Sequence, residues 1–105
     1  MKDNTEILKN IRDSVKSRMP KAKVILYGSQ ARGEADENSD FDILIVVDKA
    51  LISNEDEKLL KYPLYDIEFD TGHIISPFVV SKKDWETKHK ITPFYDNVLK
   101  DGIVL

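Results

Sequence analysis

The chain has 105 residues, of which 41% are hydrophobic and 33% are charged, and its formal net charge at pH 7 is −3. This length and composition predict one soluble domain over residues 1–105. The absence of cysteine excludes disulfides and thiolate metal sites and is expected for a cytoplasmic protein. No apolar run suits a membrane span or a signal peptide, and the net negative charge disfavours sequence-independent nucleic-acid binding.

The first third of the chain predicts a helix, a strand and a tight turn. Residues 4–19 carry apolar side chains at helical spacing and are followed by a proline, which predicts an amphipathic helix. Residues 24–27 predict a short buried strand that leads directly into Gly28 and Ser29. Residues 30–33 end in glycine and predict one or two helical turns.

A polar loop over residues 34–39 precedes the second predicted strand. This strand, over residues 41–47, is almost continuously apolar, which favours an interior position in a sheet. Because side chains alternate along a strand, Asp40 and Asp42 share one face. The segment 33–48 contains acidic but no basic side chains. Such a segment is either a solvated loop or part of a metal site.

The segment 54–71 fits two interpretations. An acidic start and a roughly helical apolar spacing favour one helix throughout, with a kink at Pro63. The alternative is a helix that stops at residue 62, followed by a strand over residues 64–70. The difference affects the candidate site, because the strand would align three carboxylates on one face. These carboxylates are Asp66, Glu68 and Asp70.

The last third of the chain predicts one strand, one interrupted helix and a closing strand. Residues 73–80 predict a strand in which Pro77 favours an edge position or a bulge. Residues 82–99 predict a helix that Pro93 divides into two pieces. Residues 103–105 predict a short strand. Helices and strands therefore alternate along the whole chain without repeats or linkers.

The chemistry of the sequence is concentrated between the first two strands. Two carboxylates at alternate strand positions, Asp40 and Asp42, repel each other unless a cation is present, and Mg²⁺ prefers such oxygen ligands. The turn at Gly28 and Ser29 offers backbone N–H groups and a hydroxyl to an anion. Arg32 is a candidate bidentate donor to a phosphate, or else an ion-pair partner of the neighbouring carboxylates. Together these groups suit a nucleoside triphosphate with a divalent metal.

The segment from Gly28 to Asp42 resembles the signature of minimal nucleotidyltransferases of the DNA-polymerase-beta-like superfamily. It contains Gly-Ser, Ala-Arg-Gly, Ser-Asp and Asp-x-Asp in that order. The resemblance implies an α/β (α+β) fold with a small mixed sheet flanked by helices. It implies that Asp40 and Asp42 are catalytic and bind two Mg²⁺ ions, or Mn²⁺ in their place. The candidate nucleotide-binding residues are Gly28, Ser29, Arg32 and Ser39.

The implied reaction transfers a nucleoside monophosphate, first of all AMP from ATP, to a hydroxyl and releases pyrophosphate. Similar chains are often encoded with small all-helical toxins of the HEPN type, which implies an antitoxin whose acceptor hydroxyl lies on that partner. The sequence leaves the nucleotide, the acceptor and a homo-oligomeric state open.

The sequence departs from the family pattern at one position. Such domains usually carry a third carboxylate on the strand beside Asp-x-Asp, and the predicted strand over residues 73–80 has none. If residues 64–70 are a strand, Asp66 or Glu68 would be the third metal ligand. If they are helical, the ligand would come from Asp70, from a partner, or be absent. An alternative function is therefore a degenerate nucleotidyltransferase fold that neutralises a helical partner by contact alone.

Overall fold

The computed structural model describes residues 4–34 and 40–105. In chain order, the elements within those ranges are α1 (Thr5–Arg18), β1 (Lys23–Tyr27), α2 (Ser29–Arg32), β2 (Phe41–Val47), α3 (Asn54–Thr71), β3 (Ile75–Ser81), α4 (Lys82–Glu86), α5 (Pro93–Asp101) and β4 (Ile103–Val104). None of the helices in this described part of the chain combines the length and the apolar character that a membrane crossing needs.

The four strands form one mixed sheet in the order β3-β2-β1-β4. β2 is central, antiparallel to β1 and parallel to β3, and β4 pairs antiparallel with β1. The interior position predicted for residues 41–47 is therefore confirmed. Pro77 lies in the edge strand β3, where its missing N–H leaves no gap between two paired strands. The sheet with its flanking helices confirms the predicted α/β fold class.

Both faces of the sheet are covered. One face packs against α1 and α3 in a cluster that includes Leu26, Ile43 and Leu64. The other face packs against α4 and α5 in a smaller cluster that includes Leu44 and Trp85. Neighbouring residues of β2 thus belong to opposite clusters, as strand alternation requires. The even-numbered residues of β2 face α4 and α5.

The segment 54–71 is one helix, α3, so the helical interpretation is confirmed and the strand alternative is wrong. Its N-cap is Ser53, whose hydroxyl accepts a hydrogen bond from Asp56 N at 3.1 Å while Asp56 Oδ2 accepts one from Ser53 N at 3.1 Å. Lys49 Nζ lies 2.8 Å from Asp56 Oδ1. These contacts, with Lys49 first, hold the pKa of Asp56 below its ordinary value. Pro63 is accommodated inside the helix.

The C-terminal helix is divided into α4 and α5, as the position of Pro93 predicts. Each piece has its own N-cap: Ser81 Oγ accepts from Asp84 N at 3.0 Å, and Thr92 Oγ1 accepts from Tyr95 N at 3.2 Å. The closing strand is confirmed as β4. These elements cover the second face of the sheet and leave its end, at the start of β2, for the site.

Candidate active site

The Gly-Ser turn and the two carboxylates lie at the same end of the sheet. β1 ends at Tyr27, and the antiparallel register pairs Tyr27 directly with Asp42 near the start of β2. Gly28 and Ser29 follow Tyr27, so the turn lies beside this carboxylate although residues 30–41 separate the two in sequence. Asp40 precedes β2 at the same end. The fold therefore brings together the anion-binding and metal-binding candidates.

Gly28 lies directly against the Asp42 side chain. Its backbone has φ 76° and ψ −157°, a region that is essentially restricted to glycine. A Cβ at this position would overlap Asp42 Oδ2 and lie 3.3 Å from Asp42 Cγ. Glycine is therefore required here for two reasons, the backbone conformation and the closeness of the carboxylate.

The turn continues into α2, whose end at Gly33 in the left-handed conformation confirms the predicted helical turns. Arg32 N donates to Gly28 O at 3.2 Å, and Glu34 N donates to Ser29 O at 3.0 Å. These bonds hold the turn in place through the carbonyl groups of Gly28 and Ser29. The first N–H groups of a helix have no acceptor within the helix. In α2 these groups lie at the end of the sheet where Tyr27 pairs with Asp42.

Within the candidate site, Asp42 has a pKa that is shifted from its ordinary value. Burial raises its pKa above the ordinary value, the neighbouring Asp40 raises it further, and Arg32 lowers it. Among the described residues, no hydrogen bond contributes to the pKa shift of Asp42. The two carboxylates therefore repel each other, and Arg32 offsets this repulsion only in part. A pair of carboxylates in this situation is a donor set that a divalent cation fits.

Arg32 has a partner of its own in this structure. Its Nε lies 3.1 Å from Glu34 Oε2, and both side chains are exposed, so the ion-pair alternative is realised. Such exposed pairs contribute at most about 1 kcal/mol. A phosphate can therefore displace Glu34, and Arg32 is already close enough to lower the pKa of Asp42.

Tyr27 is a site residue that sequence reasoning did not identify. Its ring packs edge-on against Phe94 with centroids 5.2 Å apart, on the face that also carries Asp42. Burial, followed by the charge of Asp42, raises the pKa of Tyr27 above its ordinary value. The phenol therefore stays protonated and can donate. The other aromatic side chains of this region, Trp85 and Tyr95, have centroids 4.8 Å apart within the core cluster.

A family model described as a nucleotidyltransferase domain matches residues 8–92 of the chain. The chain belongs to the nucleotidyltransferase domain family. One relative from Methanocaldococcus jannaschii, MJ0141, is 37% identical over 78 residues, which are 73% of this chain and 75% of the relative. A second, MJ0604 from the same organism, is 40% identical over 86 residues, 79% of this chain and 76% of the relative. Both relatives are named as candidate protein adenylyltransferases.

This nucleotidyltransferase is a transferase. Its strand β3 lies beside the strand that contains Asp42, and β3 carries Ser76. Ser76 is the residue that pairs with Asp42, and paired residues share a face of the sheet. The carboxylates considered as a third ligand lie on α3, which covers the opposite face. They are Asp66, Glu68 and Asp70. Glu68 Oε2 accepts a hydrogen bond from Ile75 N at 2.7 Å, whereas the other two are exposed.

The described part of this nucleotidyltransferase contains no group of three or more His, Cys, Asp or Glu side chains that could hold a metal ion. Among the described residues, the metal-binding candidates are therefore the two aspartates, and substrate phosphates can supply further ligands. The predicted site residue Ser39 lies outside the described residues, so its role stays a prediction.

Proposed function

We propose that this chain is a Mg²⁺-dependent adenylyltransferase that transfers AMP from ATP to a hydroxyl on a partner protein. The contact between Gly28 and the Asp42 carboxylate is the observation that supports this most. It supports the proposal because the turn proposed to bind phosphate and the aspartates proposed to bind metal are close enough to contact one nucleotide. The acceptor class follows the names of the two archaeal relatives.

The reaction is a displacement at the α-phosphorus of ATP. The acceptor oxygen forms a bond to that phosphorus, the bond to the bridging oxygen breaks, and pyrophosphate leaves. Mg²⁺ held by Asp40 and Asp42 would stabilise the charge on the transferred and departing phosphates. The Asp42 carboxylate is the candidate acceptor of the hydroxyl proton.

The other residues of the site bind and orient the triphosphate. Ser29 supplies a hydroxyl and a backbone N–H at the start of α2. Arg32 exchanges its exposed partner Glu34 for a phosphate oxygen. Tyr27, held protonated beside Asp42, donates a hydrogen bond to a phosphate or to the acceptor. Ser39 is retained as a nucleotide-binding candidate on the strength of the family signature.

The proposed setting is a toxin–antitoxin pair in the cytoplasm. The family signature suggests that the acceptor is a small all-helical protein of the HEPN type, modified on a side-chain hydroxyl such as that of tyrosine. The antitoxin would then act by blocking its partner covalently.

Calorimetric titration of ATP in excess Mg²⁺ tests the nucleotide site. We expect saturable binding by the wild-type chain and a loss of at least about 30-fold in affinity for Asp40→Asn/Asp42→Asn. Asp66→Asn/Asp70→Asn is the matched control, because it removes the same charge from the opposite face of the sheet. No heat from the wild-type chain with any of the four nucleoside triphosphates would contradict the proposal.

A second candidate function, neutralisation of a partner by contact alone, is favoured by Ser76. In that case the missing carboxylate opposite Asp42 marks a site that no longer catalyses. The contact function predicts that Asp40→Asn/Asp42→Asn still neutralises the partner. The adenylyltransferase function predicts that neutralisation is lost together with labelling of the partner by ATP.

Ser76→Asp also distinguishes the two functions, because it adds a carboxylate to the candidate site instead of removing one. The new carboxylate would lie beside Asp42 on the same face, so we expect tighter Mg²⁺ binding and about 10-fold faster transfer. Ser76→Asn is the control, because asparagine has the same shape as aspartate but carries no charge. Transfer that is absent in both the wild-type chain and Ser76→Asp would favour the contact function.

A further inference from the structure

Helix α3 has a second apolar face that points to solvent. Its buried face carries Leu60 and Leu64, both with no exposed area. On the other side lie four large side chains, each between 42% and 89% exposed, which we call the α3 stripe: Leu59, Tyr62, Tyr65 and Phe69. Their spacing of three, three and four residues places them along one face of the helix.

The α3 stripe is large enough to be an interface. At about 200 Å² for each large side chain, its members expose roughly 500 Å². A contiguous apolar patch of this size is near the upper limit for a monomer and marks an interaction site. Two such stripes in contact would bury about 1,000 Å², which is the area that a specific protein interface needs.

We propose that the α3 stripe is the interface of a symmetric homodimer in which two α3 helices pack antiparallel. The stripe is spaced almost symmetrically about Leu64, so an antiparallel copy places Leu59 opposite Phe69 and Tyr62 close to Tyr65. Within one chain these two tyrosine rings are already 6.4 Å apart. Four tyrosines would therefore meet around the twofold axis at distances where aromatic rings attract.

This dimer does not depend on adenylyl transfer. α3 lies on the face of the sheet opposite to Asp42, and the stripe lies on the outer side of α3. Association through the stripe therefore leaves both candidate active sites open. A failure of the enzymatic proposal and a failure of the dimer proposal would be seen in separate experiments.

Sedimentation velocity over about a hundredfold range of micromolar concentrations tests the dimer. We expect the wild-type chain to shift from monomer to dimer and Phe69→Asp to weaken dimerisation at least 100-fold, because a charge enters the apolar interface twice. Ile91→Asp is the matched control, since Ile91 is also 89% exposed but lies between α4 and α5. A wild-type chain that stays monomeric, or an equal effect of both variants, would overturn the proposal.

Discussion

Replacement of Gly28 by alanine is expected to slow nucleotidyl transfer at least 100-fold and to weaken binding of Mg²⁺-ATP. The added Cβ would overlap Asp42 Oδ2, so either the carboxylate or the turn must move. Both belong to the candidate site, and a displacement of about 1 Å in such a site can cost a hundredfold in rate. Transfer of labelled AMP and calorimetry with ATP measure the two effects.

Gly33→Ala is the matched control for this prediction. Both glycines have positive φ, 76° at Gly28 and 72° at Gly33, but among the described residues a Cβ at Gly33 meets nothing within 4 Å. Gly33→Ala should therefore cost only the backbone strain, about 1 kcal/mol of the free energy of unfolding. Gly28→Ala should cost about 2–3 kcal/mol, because its ψ of −157° is almost exclusive to glycine. Similar losses of activity in both variants would show that the Asp42 contact is unimportant.

The elements of the fold could be predicted because their signals are local. Apolar spacing identifies α1, and a nearly continuous apolar run identifies β2 as the central strand. The segment 54–71 was harder, because Pro63 breaks a pattern that also fits a strand. The helix is stable with that proline because Leu60 and Leu64, one turn apart, are both fully buried and Ser53 caps the start.

The composition of the site could be predicted only in part, because it depends on pairing between strands. The Gly-Ser and Asp-x-Asp motifs are visible in sequence, but the contact between Gly28 and Asp42 arises from the antiparallel register of β1 and β2. That register also introduces Tyr27, which has no motif of its own. Its position as the last strand residue before the turn was the available signal.

The position of Ser76 could not be derived from the sequence at all. Its pairing with Asp42 is set by the parallel register of β2 and β3, which α3 connects across one face of the sheet. The same crossover explains why carboxylates on α3 lie on the face opposite to Asp42. The carboxylates that the sequence offers as a third metal ligand therefore lie on α3, whereas the residue that pairs with Asp42 lies on β3.

Asp42→Asn is expected to lower transfer at least 1,000-fold while making the folded protein more stable at pH 7. Burial and the neighbouring Asp40 raise the pKa of Asp42 in the folded state above its ordinary value. The folded state therefore binds this proton more tightly than the unfolded state, and stability falls as pH rises through the interval between the two pKa values. Asparagine removes this penalty and with it a metal ligand.

The gain should be a few tenths of a kcal/mol at pH 7, since solvent screens a half-exposed carboxylate. It should vanish below about pH 3.8, where aspartate is protonated in both states. Urea unfolding at the two pH values measures this, beside a transfer assay with labelled ATP. Mg²⁺ should stabilise the wild-type chain more than the variant, because it compensates the same repulsion. A variant that is less stable at pH 7 would show that Asp42 is a structural residue, since a site that holds two carboxylates for a cation must cost stability when the cation is absent.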